Sequence, residues 1–458
     1  MRNVREELER LREKLRRVEL RTARESSSAA GARTESGPLS GLGPAHELPP
    51  WESAPDESAF ESTLEFASQR PSAVTNRSGW SKIEDCLSGS LVETPFGTHF
   101  ERETLYPVSA RHGHFGVSEL ECSPGDLLSS LSPDCSDGTV RDWVYLDTET
   151  TGLTGGAGTF AFLIGLGHVT PGGFLVRQYF LREPAEERSV LCRIAEELER
   201  FSAVVTYNGK AFDLPLLETR YRLARSPVPF ASMPHVDLLH ACRRLWKLRF
   251  ESCKLTYLEE RVLGHEREGD VPGFLIPSLY ANYLRFGEAG SLSPVFLHNA
   301  LDILSLACLT SVVGGVFRDP ASLAARHGAE CVGLGRWLLQ AGRPDDALPL
   351  LRRATQTNIP EDLLARTLWD IFEIERKRGQ YEAARDAVEQ MIGFPNSLHA
   401  RALEALSILY ERRFKDLSRS LHYARRLDRL QPGEKAGARL ERLTKKCAKA
   451  AGGQFFEG

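Results

Sequence analysis

The stretch WVYLDTETTGL, from Trp143 to Leu153, constrains the fold more than any other part of the chain. Its apolar start reads as a buried strand over Trp143 to Asp147. The run then ends in two acids, Asp147 and Glu149, with a single threonine between them. Strand side chains alternate, so Asp147 and Glu149 point to one side and Thr148 to the other. Two like charges that close raise each other's pKa unless a cation neutralises them. A bare Asp-x-Glu is more often a pair of solvated acids in a turn, so its neighbours must decide.

Those neighbours form an alternating pattern. Phe160 to Val169 and Phe174 to Leu181 read as strands joined by a Pro-Gly-Gly turn at 171–173. Glu186 to Phe201 reads as an amphipathic helix, Ala203 to Tyr207 as a short apolar strand, and Leu214 to Leu223 as a helix opened by Pro215. Helical patterns continue to Val316. Three strands, a helix, a strand and further helices predict an α/β domain over 140–318. Before it, 81–139 predicts a small β-containing element. His112 and His114 lie there, spaced like a weak metal pair, and surface histidines are the commoner reading.

The flanks differ in character. Val4, Leu8, Leu11, Leu15 and Val18 place an apolar stripe on a short charged helix over 1–21, with coiled-coil spacing. Residues 22–80 are rich in Ser, Gly, Pro, Ala and Glu, a disordered-linker composition. Residues 326–450 read as helical and internally repeated, with Gly342 matching Gly379 and Ala347 matching Ala384. A third copy keeps the tail but lacks the glycine. The small residues are expected where helices cross closely, in a degenerate helical-hairpin solenoid of tetratricopeptide-like length.

The totals narrow the classes. The 458 residues, 41% hydrophobic and 26% charged, fit a globular protein of two or three domains. A net charge of −4 gives no global attraction to nucleic acid, so any such partner needs local basic patches. Nine scattered cysteines without a CxxC pair point to a reduced, cytoplasmic-type compartment. No uninterrupted apolar run reaches the roughly 20 residues of a membrane span, and the N-terminus carries charge rather than a secretory apolar region.

Two more acids join the first pair. VVTYNGKAFDLPLL places Asp213 directly before a helix, where it would ordinarily be an N-cap. VFLHNALDILSLACL places His298 and Asp302 four apart on one helical face. Mg²⁺ or Mn²⁺ prefers such oxygen ligands. Two such ions about 3.5–4 Å apart serve phosphodiester hydrolysis. The glycine-rich TGLTGGAGTFAFLIGLG lacks the GK[ST] ending of a P-loop, and its glycines lead into a strand, which predicts a hairpin turn. No GxSxG elbow is present.

On the motifs DTETTG (Asp147 to Gly152), YNGKAFDLP (Tyr207 to Pro215) and HNALDILSL (His298 to Leu306), the chain resembles the DEDD exonucleases of the ribonuclease-H-like, DnaQ-like group. HVDLLHACRRLW (His235 to Trp246) and GDVPGFLIPSLYANY (Gly269 to Tyr283) are similar to signatures of its YprB-type members. The resemblance implies a ribonuclease-H-like α/β domain with a mixed sheet, followed by an all-α tetratricopeptide-like repeat domain. It implies a metal-dependent 3′→5′ exonuclease acting on DNA or RNA, with Asp147, Glu149, Asp213 and Asp302 holding two Mg²⁺ or Mn²⁺ ions. His298 matches the residue that orients or deprotonates the attacking water. One subgroup places a histidine five residues before the last aspartate and another a tyrosine four before it; here a histidine stands at the tyrosine spacing. The resemblance also implies that the backbone at Thr150, Thr151 and Gly152 approaches the terminal nucleotide. Asn208 and Gly209 are expected to line the same pocket, turn chemistry being the equal alternative. The competing reading is a weak or inactive nucleic-acid-binding scaffold whose repeats bind protein.

Overall fold

The computed structural model describes residues 82–122, 139–152, 158–320 and 327–453. The helix expected over 1–21, the linker over 22–80, and Gly155 and Gly156 of the glycine-rich turn lie outside the described residues. Seven strands build one mixed sheet: β1 (Ser90–Thr94), β2 (Gly97–Pro107), β5 (Trp143–Thr150), β6 (Ala161–Thr170), β7 (Gly173–Phe180), β8 (Ala203–Thr206) and β9 (His235–Asp237). Their spatial order is β1-β2-β7-β6-β5-β8-β9. Neighbours run antiparallel except β5–β8 and β8–β9, which are parallel. β2 pairs with β7 from Phe100↔Phe180 to Pro107↔Gly173, so the sheet runs across the boundary expected at residue 140.

A separate small hairpin joins β3 (Arg111–His112) to β4 (Phe115–Gly116). It packs on the π-helical turn Glu259–Leu263, with His114 N donating to Leu263 O at 2.6 Å. That contact corrects the surface reading of His112, which is 2% exposed.

The mismatch in strand lengths opens the sheet where β5 ends. β6 accompanies β5 to Thr150, but β8 pairs with it only from Trp143 to Tyr145. Past Tyr145 the strand has lost one neighbour, and from Asp147 on its burial falls from complete to partial. Asp147 and Glu149 therefore emerge beside a gap at the carboxyl end of the parallel pair, where α/β sheets place their ligands.

Among the described residues, five helices of nine or more residues flank the sheet: α1 (Glu187–Leu198), α2 (Asp213–Leu223), α3 (Leu238–Trp246), α4 (Ile276–Phe286) and α5 (Ser293–Arg318). α5 packs on β5, β6 and β7. By length and composition the helical stretch Ala289–Arg318 could cross a membrane, but 78% of its most apolar window is buried inside the protein. Its hydrophobicity is that of a central core helix. Gly165 and Gly167 of β6 permit the close packing, since a Cβ at either would collide with Ile303 of α5.

Among the described residues seven helices follow: α6 (Gly328–Gln340), α7 (Pro344–Ala354), α8 (Glu361–Lys377), α9 (Tyr381–Met391), α10 (His399–Arg412), α11 (Leu417–Leu430) and α12 (Glu434–Gly453). The matched alanines, Ala347 and Ala384, are fully buried where helices meet. The matched glycines do something else. Gly342 and Gly379 have φ of +74° and +77°, with open space where a Cβ would lie, so they turn the chain at helix ends. In the third copy Lys415 takes that position at φ +58°, and Ser420 takes the alanine's place. The Ser420 hydroxyl donates to Ser407 O at 2.8 Å. A left-handed conformation strains any residue with a Cβ, so Lys415→Gly should stabilise the protein by about 0.5–1 kcal/mol, read as a higher urea midpoint.

The helical array shares a core with the α/β part. Phe317 of α5 and Trp337 of α6 meet at 4.7 Å between ring centroids, and Gly333 lets α6 lie against the Arg244 and Leu245 carbonyls of α3. At the far end Arg442 and Lys446 of α12 donate to Glu411 of α10. The Arg442 bonds, reinforced by Lys446, bring the Glu411 carboxyl down to about 2 despite its burial. Its unfolded value is about 4.3. The folded pKa is depressed, so the stabilisation is fully present above about pH 4.3 and lost as pH falls toward 2. Glu411→Gln should cost about 1–2 kcal/mol at pH 7 after screening of the exposed cations, and almost nothing at pH 2. Urea melts at the two pH values measure this.

Candidate active site

Three elements deliver the four predicted acids. Asp147 and Glu149 leave the open tip of β5, Asp213 is the first residue of α2, and Asp302 lies on α5 one turn after His298. Burial raises the Asp147 carboxyl well above the ordinary range, and the charges of Asp302 and Asp213 add to it. Glu149 is raised likewise, by burial and then by Asp147, Asp302, Asp213 and Asp270. Burial lifts Asp213 to about 6, against the hydrogen bond that Thr148 provides. The charges felt at Asp147 and Glu149 place the four acids around one centre.

The compensating groups are few. Thr148 Oγ1 donates to Asp213 Oδ1 at 2.6 Å, so the residue between the paired acids tethers the third. Asn299 Nδ2 donates to Asp147 Oδ2 at 2.8 Å. The orientation of that amide is set from behind: Gln178 Nε2, buried on β7, donates to Asn299 Oδ1 at 2.8 Å. Arg267 is the nearby cation. Its guanidinium binds Asp302, Asp270 at 3.3 Å and Glu259 at 2.7 Å. The Glu149 carboxylate has no hydrogen-bond or ion-pair partner among the described residues.

His298 is held by a residue 28 positions away. Its Nδ1 lies 2.8 Å from Asp270 Oδ1, and its Nε2 lies 3.6 Å from Asp302 Oδ2. Burial opposes ionisation of Asp270, but His298 and Arg267 outweigh it and hold that carboxyl below its usual range. An ionised Asp270 accepts, so Nδ1 carries a proton and donates. Nε2 then faces Asp302 and the acidic centre. Burial also opposes charging His298, while Asp270 and Asp302 raise it above an ordinary histidine.

The five residues expected to meet a nucleotide lie at two turns bordering the gap. β5 has a bulge at Glu149/Thr150. Thr150 Oγ1 donates to Gly152 O at 2.8 Å, and Thr151 Oγ1 accepts from Phe160 N at 3.0 Å, so both hydroxyls shape the backbone. Across the gap Asn208 has φ +66°, and a Cβ on Gly209 would collide with Thr206. Asp237 holds this second turn. Its carboxylate accepts from Asn208 N at 2.8 Å, Lys210 N at 3.2 Å and Leu239 N at 3.1 Å, capping α3 at the same time. Asp237→Ala leaves three backbone donors without partners. It should cost about 2–4 kcal/mol in urea denaturation, more than a helix cap alone would.

The sequence reading missed Arg267, Asp270, Asn299 and Gln178, and assigned no partner to Thr148. Asn299 adjoins His298, and Asp270 lies in the Gly269–Tyr283 segment already singled out. Nothing in the sequence marks Arg267, whose partners stand at 259, 270 and 302.

Comparison with known proteins agrees with this architecture. The family model described as RNase_H superfamily matches residues 144–313. The "Uncharacterized protein YprB" of Bacillus subtilis (strain 168) is 32% identical over 331 residues, covering 70% of this chain and 78% of that protein. A solved structure, the family B DNA polymerase from Pyrobaculum calidifontis, is similar at a TM-score of 0.32 and 14% identity, over 44% of this chain and 29% of the polymerase chain. The seven-stranded mixed sheet, its ribonuclease-H-type match and the identity along most of the chain lead to one assignment: the chain belongs to the YprB family and carries a ribonuclease H superfamily domain, a nuclease-like fold, followed by a helical region.

Proposed function

We propose that this protein is a metal-dependent nuclease that hydrolyses nucleic-acid phosphodiester bonds, acting as a 3′→5′ exonuclease. One observation carries the reading: four half-buried carboxylates from three elements converge on one centre, where the charges of Asp213 and Asp302 help raise Asp147 and Glu149. Such a set fits divalent cations because it is short of positive charge and offers only oxygen donors. Asp147, Glu149, Asp213 and Asp302 would hold Mg²⁺ or Mn²⁺, two ions in all. When bound, the ions supply activation of a water and charge stabilisation of the leaving oxygen. The chain's own part is positional. Asn299 and Thr148 orient two of the acids, and Asp270 presents His298 Nε2 toward the centre, where it can orient a water and take its proton. The turns at Thr150–Gly152 and Asn208–Gly209 would receive the terminal nucleotide. The division into a nuclease domain (140–318) and tetratricopeptide-like repeats (326–450) that recruit protein belongs to the same proposal, as does a cytoplasmic location.

The test uses purified full-length protein with Mg²⁺ or Mn²⁺ and single- and double-stranded DNA and RNA, labelled at either end. The expected result is stepwise loss from the 3′ end that Asp147→Asn abolishes. If no substrate is degraded and Asp147→Asn changes nothing, the proposal fails. A second reading is a scaffold with little activity, favoured by Arg267, whose guanidinium already neutralises Asp302. Calorimetric Mn²⁺ titration separates the two, since a scaffold should show no binding that depends on Asp147.

A further inference from the structure

A second cluster of ligand-type side chains lies behind the acids. His112 Nε2 and His265 Nε2 stand 3.1 Å and 3.7 Å from Glu259 Oε1, and the three donor atoms all lie within 4.8 Å of one another; His112 Nε2 is also 2.7 Å from the Ser305 hydroxyl, which must turn away for that nitrogen to bind an ion. His112 comes from β3, Glu259 opens the turn Glu259–Leu263, and His265 follows Gly264. Two left-handed glycines make the approach possible. A side chain at Gly113 would strike the Leu263 carbonyl, and one at Gly264 would strike the His114 ring. The His112 and His265 rings consequently lie 4.0 Å apart between centroids.

The second, independent observation is Glu259 itself. The residue is 0% exposed, and its Oε1 makes no well-aligned hydrogen bond, although His112 Nε2 lies 3.1 Å away. Its other oxygen accepts from Arg267 Nε at 2.7 Å. A buried carboxylate oxygen without a well-aligned donor is costly, and this one is aimed between two imidazoles.

We infer that His112, Glu259 and His265 form a zinc-type metal site distinct from the four-carboxylate centre. Two imidazole nitrogens and a carboxylate oxygen are a borderline donor set that suits Zn²⁺ rather than Mg²⁺. Tetrahedral zinc with bonds of about 2.0–2.2 Å sets neighbouring donors about 3.3–3.5 Å apart. The two separations from Glu259 bracket that value. His265 is the most open of the three, at 28% exposure of its side chain, which leaves a side for ion entry and a water as fourth ligand. The ion would clasp the β3–β4 hairpin to the Glu259–His265 segment. It would also satisfy the Glu259 oxygen that Arg267 leaves free. The assignment stands whether or not the chain is a nuclease.

The test is metal binding by the full-length protein, stripped with a chelator and dialysed. Zn²⁺ stoichiometry by elemental analysis and Co²⁺ titration followed by visible absorption are the readouts. One tightly held Zn²⁺ per chain is expected, with a tetrahedral-type Co²⁺ spectrum. His265→Ala, at the most open position, should weaken Zn²⁺ binding by about 100-fold or more and remove the spectrum, with the fold checked by circular dichroism. Asp147→Asn should leave both intact. Absence of tight zinc in the unmodified protein would overturn the inference. So would a site that survives His265→Ala, or one that disappears with Asp147→Asn.

Discussion

Asp147→Asn should lower nuclease activity by about 10³-fold or more and at the same time make the metal-free protein more stable. The two effects have one cause. Asp147 is half-buried beside Asp302 and Asp213, and its charge is unfavourable there without the divalent cation that the proposed function assigns to it. Removing that charge takes away a ligand and also relieves repulsion. A gain of about 1–2 kcal/mol is expected without metal. Thermal melts with and without Mn²⁺ measure it: Mn²⁺ should raise the unmodified protein's Tm at the acidic centre and have much less effect on the variant. A variant that loses both activity and metal-free stability would show that Asp147 is a structural acid. The zinc-type cluster is kept out of the comparison by using chelator-stripped protein and Mn²⁺ alone.

Gly165→Val should be damaging without touching any titratable group. Gly165 pairs with Asp147 across β5 and β6, and a Cβ there would collide with Ile303 Cδ1 and Asn299 Oδ1 of α5. Overpacking of that kind costs about 1–3 kcal/mol, which a urea melt would show. The larger consequence is positional. α5 carries His298, Asn299 and Asp302 together, so pushing it off the sheet moves three site residues at once. A displacement near 1 Å should cost about 10²-fold in activity. Unchanged activity at this position would mean that the helix does not have to lie so close.

Much of the fold is legible because periodicity and turn chemistry are local. The strands at 143, 161, 173 and 203 and the helices at 187 and 213 begin within one or two residues of where alternation, apolar spacing and Pro or Gly place them. The boundary between the early β strands and the α/β domain is not legible. Pairing of β2 with β7 joins residues about 66 to 80 positions apart, and no short window contains both. The repeat glycines show the same division. Their recurrence can be seen in the sequence, but their φ of +74° and +77° shows that they turn backbone rather than make room for a crossing helix.

The sequence by itself determined the acids. An apolar strand run ending in Asp147 and Glu149, an aspartate opening a helix, and His298 one turn before Asp302 are local patterns, and local geometry decides which way such side chains face. Only the tertiary structure decided what those groups meet. The early end of β8 opens the gap at Asp147, and Gly165 brings α5 down onto the sheet. Asp270 turns His298, and Arg267 joins Asp302 to Glu259. Each of these depends on chain segments far apart in sequence. Charge compensation inside a protein is set by distance and burial, and neither is a property of spacing along the chain.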